Sequence, residues 1–225
     1  ISSTIDNNNG FGIELKTAST ITNLTNTGDI TGTAATFGQA IKLRGASTIT
    51  NLTNSGTISG TASSATGADG VGIQVGGLTE ISTITNLTNT GTISGRATVG
   101  DRARGIMVSK SDVITTLTNS GTISGTAGGT DGYGISLTNA TLTNLTNDGN
   151  ISGTAGTNNG MGIIFSSNST ITNLTNSGTI TGTAGGTNAD GVVLNLGSTI
   201  TTLTNDGTIS GKATGVFGSG VTLNN

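Results

Sequence analysis

Seven times in 225 residues the chain repeats one fourteen-residue block, and from the fourth residue of that block every second position is constant. The first copy runs from Ile21 to Ala34, and the others start at Ile49, Ile84, Ile114, Leu142, Ile171 and Ile200. The constant residues of the first copy are Leu24, Asn26, Gly28, Ile30, Gly32 and Ala34. Between them the chain varies among Thr, Ser, Asp, Asn, Arg and Lys. A period of two is the pattern of a β-strand with one face buried. The constant set is therefore expected to point inward and the variable set to face water. A helix does not fit, because Thr, Gly and Asn are poor helix formers and no stripe recurs at the helical period. Gly- and Thr-rich chains with 2 % aromatic residues are often disordered, but disorder does not require matched apolar positions seven times over.

The aligned leucines, Leu24, Leu52, Leu87, Leu117, Leu145, Leu174 and Leu203, are spaced 28, 35, 30, 28, 29 and 29 residues apart. A looser block precedes the first copy and follows each one. Its clear forms are Gly10–Leu15, Gly70–Val75, Gly132–Leu137 and Gly160–Phe165; its weaker forms contain Ile41 and Leu43, Ile106 and Val108, Leu194 and Leu196, and Val221 and Leu223. Each repeat thus offers three short strands, around Ile21–Thr25, Asp29–Ala34 and Gly38–Leu43. Three strands in about 30 residues, stacked on their copies, predict an all-β right-handed parallel β-helix. It would have seven coils and a partial one, forming a single β-solenoid domain over residues 1–225.

Several residues acquire roles in such a coil. Asn26, Asn54, Asn89, Asn119, Asn147, Asn176 and Asn205 should form an internal ladder, their amides bonded along the column. Gly28 is read as a turn residue supplying positive φ. Thr25, Thr53, Thr88, Thr118, Thr146, Thr175 and Thr204 form an unbroken outward row. The chain has no Pro, as strands that must all donate to a ladder require. Loops of variable length, such as 63–69 and 98–104, are where a solenoid is expected to carry specificity.

Composition narrows the function. Cys and His are absent, so thiolate or imidazole chemistry and disulfides are not available. A net charge of −3 does not suit nucleic acid. No apolar run approaches about 18 residues, so direct membrane insertion is not expected. The chain opens Ile1-Ser2-Ser3-Thr4, without the pattern of a secretory leader, and is read as a segment of something longer.

The repeat, seen for example as Ile-Thr-Asn-Leu-Thr-Asn-Ser-Gly-Thr-Ile-Thr-Gly at Ile171–Gly182, resembles those in the passenger regions of bacterial autotransporters and related large surface adhesins. The resemblance covers nearly the whole chain. It implies a right-handed β-helix displayed at or released from a bacterial surface, commonly for adhesion or aggregation.

Candidate chemistry is sparse. The acids are Asp6, Glu14, Asp29, Asp69, Glu80, Asp101, Asp112, Asp131, Asp148, Asp190 and Asp206. Asp148 and Asp206 share a column two coils apart, about 9.6 Å, with Ser177 between them, which is a poor catalytic pair. Asp69-Gly70, Asp131-Gly132 and Asp190-Gly191 hint at calcium turns but lack the dense repetition of such sites. Asn-x-Ser/Thr triplets at Asn23, Asn51, Asn86, Asn139, Asn144, Asn168 and Asn173 mostly follow the rung pattern. Arg96, Arg102, Arg104 and Lys110 are the only basic cluster, with Asp101 and Asp112 among them, and are read as a possible binding loop. Glu14 and Lys42 are expected to pair across adjacent coils. No catalytic residue, metal or cofactor is expected. The preferred reading is an extracellular structural or adhesive rod whose partner is another copy, end to end or laterally in a fibre, or a cell-surface glycan or protein. The alternative is an ice- or glycan-binding solenoid using the Thr and Asn columns, and a polysaccharide-active enzyme ranks last.

Overall fold

The computed structural model describes all residues except 6, 7, 65, 78, 79, 100, 216 and 225, so Asp6 of the acid set lies outside the described residues. The described residues form strands and turns with no helix. Every third strand joins the same sheet, giving parallel sheets of seven, eight and eight strands. The first sheet begins with Thr20–Asn26, the second with Ser2–Ile5 and then Asp29–Ala34, the third with Asn9–Leu15 and then Phe37–Leu43. Equivalent residues stack in register: Leu24 on Leu52, Ile30 on Ile58, Ile41 on Ile73. The chain is thus a three-sided parallel β-solenoid with coils of about 29 residues.

A wedge describes the cross-section. The second and third sheets close against each other through glycine; a Cβ at Gly60 would overlap the Val71 carbonyl oxygen. The first sheet spans the wide side. Columns headed by Ile21, Leu24, Ile30, Ile13 and Leu15 fill the interior, and in the central coils they are fully buried. Each such Ile or Leu contributes about 1.5–3 kcal/mol by leaving water.

The period of two breaks once in two of the sheets. In the first sheet the pairing skips Thr22 and its equivalents, so Ile49 and Leu52, three apart, are both buried. Two neighbouring residues, Thr22 and Asn23, then both face out. In the third sheet the pairing skips Ala40, or the glycine in its place. Ala40 and Ile41 both point in, while Gln39 and Lys42 converge outside. That bend makes the outer surface of the third sheet concave.

The corners differ from expectation. Gly28 and its equivalents do not take positive φ. A Cβ at Gly56 would instead overlap the Gly28 carbonyl oxygen one coil below, so close stacking of the turn backbone is what demands glycine. Positive φ is concentrated between the third and first sheets, at Ala46 (59°), Lys110 (61°) and Leu196 (53°) among others. Leu196 is accordingly exposed, and the inward pair of its coil is Val192 and Leu194.

Candidate functional site

The Asn column lies at the corner between the first and second sheets. Each Nδ2 donates to the Oδ1 of the next Asn at 2.7 Å, from Asn26 through Asn54, Asn89, Asn119, Asn147 and Asn176 to Asn205. The second amide proton reaches backbone carbonyls, as from Asn54 to Gly56 O (3.2 Å) and Thr92 O (3.1 Å). The five central amides are fully buried, so this column is structural. A second column, made of asparagines that the Asn-x-Ser/Thr triplets mark in the sequence, runs along the outside of the first sheet. Asn86 donates to Asn51 and Asn51 to Asn23, and Asn173 donates to Asn144, all at 2.8–2.9 Å. Thr116 interrupts it. The row from Thr25 through Thr53, Thr88, Thr118, Thr146 and Thr175 to Thr204 lies beside it in unbroken register. No strand of this sheet carries a charged residue.

The basic residues do not form one loop. Arg96 is exposed on the second sheet, Arg102 opens a third-sheet strand, and Lys110 is exposed at the corner beyond that strand's far end. Arg104 sits mid-strand and is buried, with its guanidinium paired to Asp69. Asp112 is no surface counter-charge either. It is fully buried and occupies a column of serines at the corner between the third and first sheets, where Ser47, Ser82 and Ser169 cap neighbouring backbone N–H groups. Its Oδ1 accepts the Ser82 N–H and its Oδ2 has no partner. Burial is the main cause that raises its pKa to about 6; the Ser82 bond and nearby Lys110 oppose the rise.

The Asp-Gly pairs are not turns. Asp69 and Asp131 open third-sheet strands, while Asp190 lies two positions further along its strand and accepts from Ser219 N–H and Thr222 Oγ1. Asp148 and Asp206 are exposed, and Ser177 donates to Asp148 at 2.6 Å. Among the described residues no three acidic side chains gather where a metal could bind.

The third sheet's outer face sets itself apart. Its two converging columns read Phe11, Gln39, Val71, Arg104, Tyr133, Met161, Asp190, Ser219 and Glu14, Lys42, Gln74, Met107, Ser136, Ile164, Val193, Thr222. Each column holds eight different residues in eight rungs. The columns shelter each other, so Gln39, Arg104, Tyr133, Met161 and Asp190 are buried although they point away from the core. Glu14 pairs with Arg44 (2.7 Å) and Lys16 (3.7 Å), not with Lys42. Lys42 lies over the Phe11 ring, 5.1 Å from its centroid; burial, then the Arg44 charge, lower its pKa.

Two cavities lie along this groove. One, about 310 Å³, is lined by Asn9, Phe37, Gln39, Lys42, Asp69, Gln74 and Met107. The other, about 520 Å³, has an apolar floor of Tyr133, Met161, Ile164 and Val193. Its rims carry Asn159 and Asn188 on one side and Asn195 and Asn224 on the other. Arg104 stands between the two, 6.0 Å from the Tyr133 ring centroid. The sequence signal for this face was the odd set of residues at the Glu14-type and Phe11-type positions. These positions carry no periodicity, so the constant positions of the repeat do not reveal them. Comparison of the chain with protein-family models, with curated proteins and with solved structures finds no match.

Proposed function

We propose that the chain is a non-enzymatic rod of the cell exterior that adheres through one long face, the groove of the third sheet. One observation carries this reading. The other two faces are mostly Thr, Ser and Asn from rung to rung, with Asp29, Arg96 and Lys212 as the charged exceptions on the second sheet, whereas the groove columns change at every rung. A scaffold that needs only to stack has no use for eight different residues in a column, and a recognition surface does. The scarcity of carboxylate pairs and the absence of His and Cys support a role without catalysis. Beads coated with the chain should bind cells or one another. Ser136→Arg, which fills the groove, should abolish that adhesion, and Thr146→Arg on the first sheet should not. The opposite pattern would refute the assignment of the face.

A second reading has one observation in its favour. The first sheet is free of charge and carries an unbroken Thr row over seven rungs, which suits ordered water or ice. Thermal hysteresis in the presence of seed crystals tests it, and freezing at the ordinary point would end it.

A further inference from the structure

We propose that the third-sheet groove docks a linear, uncharged polysaccharide lying along the solenoid axis, an inference that rests on the groove being the adhesive face. Its first support is an unmet hydrogen bond. Gln39 is 4 % exposed and lines the smaller cavity. Its Nε2 is committed to Gln74 Oε1 at 2.6 Å, and its Oε1 has no partner among the described residues. A buried acceptor facing a cavity calls for a donor from a ligand. Arg104 Nε, also buried, lacks a partner as well, and calls for an acceptor. A hydroxyl supplies both.

The second support is the larger cavity. Its rim amides are joined in pairs, Asn188 to Asn159 at 3.0 Å and Asn224 to Asn195 at 2.8 Å, which fixes their orientation and leaves further donor and acceptor capacity open. Beneath them lies the apolar floor. A pyranose ring has this same division, with hydroxyls at its edge and C–H groups on its faces. The floor and rims extend over successive rungs about 4.8 Å apart, from Tyr133 through Met161 and Ile164 to Val193, so a chain of rings can lie along the axis.

Charge and backbone speak against two other occupants, a charged chain and a peptide added as a strand. Asp69 is matched by Arg104, and Glu14 by Arg44 and Lys16. Lys42 at the smaller cavity and Asp190 at the larger are charges of opposite sign, so the groove presents no field of one sign along its length to a charged chain. A peptide bound by strand addition needs a free sheet edge, and the groove is the face of a sheet whose strands already pair along it.

The test is calorimetric titration of the 225-residue chain with cello-, manno-, xylo- and maltohexaose, and with hexagalacturonate as the charged control. At least one neutral hexasaccharide should bind. Gln39→Leu should weaken it at least about tenfold, the worth of one buried hydrogen bond. Phe37→Ala, at the exposed rim of the smaller cavity, should weaken it with the melting temperature unchanged, which covers the case in which Gln39→Leu does not fold. Thr88→Val on the first sheet should have no effect. Binding of none of the neutral sugars, binding of the uronate alone, or loss only in Thr88→Val overturns the proposal. If coated beads still adhere through the groove while no sugar binds, the adhesive reading stands and the polysaccharide falls. If sugars bind but beads do not adhere, the adhesive reading falls.

Discussion

Asp112→Ser should make the protein more stable at neutral pH. In its column Ser47, Ser82 and Ser169 each accept a backbone N–H while buried. Asp112 makes the same bond to Ser82 but brings a carboxylate with one oxygen unpartnered. Desolvation raises its pKa from 3.8 to about 6, so the folded chain holds the proton more tightly than the unfolded one. Over that window the native state binds more protons, and stability falls as pH rises from about 4 to about 6. Above pH 6 the full cost of the buried charge applies, roughly 3 kcal/mol at 1.36 kcal/mol per pKa unit. Serine removes the charge and keeps the acceptor. Its gain should approach that figure at pH 7.5 and vanish near pH 4. Urea unfolding of both proteins at pH 4, 5, 6 and 7.5, followed by circular dichroism, measures the difference. A gain independent of pH, or a parent protein more stable at pH 7.5 than at pH 4 with Asp112→Ser unable to alter that trend, would refute the reasoning.

The remaining predictions use the same unfolding assay. Asn119→Ala, at the centre of the buried ladder, should cost about 1–3 kcal/mol because its neighbours' buried amides lose a partner. Asn86→Ala, in the exposed column, should cost under about 0.5 kcal/mol. Gly60→Ala should prevent folding or cost several kcal/mol, since the new Cβ overlaps the Val71 carbonyl, whereas Gly28→Ala meets nothing within 4 Å and should be close to neutral. Asp69→Ala should cost about 3–5 kcal/mol by stranding the Arg104 guanidinium, and adding Arg104→Met should recover most of the loss.

Particular residues show why the fold was legible and the site was not. Leu24, Asn26, Ile30 and Ala34 repeat because each must stack on a copy of itself, so the interior writes its own periodicity into the sequence. The three strands, the Asn column and the Thr row follow from that alone. The bends do not. Whether Gly12 or Ala40 faces in or out depends on the second sheet pressing against it, through Ile30 and the Thr31 carbonyl in the case of Gly12. Nothing local to Gly-Phe-Gly announces that contact. The same bend turns Tyr133 and Met161 from exposed strand residues into the floor of a groove. The burial of Asp112 is hidden in the sequence for a related reason. Its neighbours Lys110 and Ser111 are exposed and suggest a solvated turn, but its column partners are Ser82 and Ala140, one coil away on either side. In a stacked fold, the environment of a side chain is set by residues about 29 positions away more than by its neighbours in sequence. Columns that stay constant reveal the core, and columns that change at every rung are where a ligand should be sought.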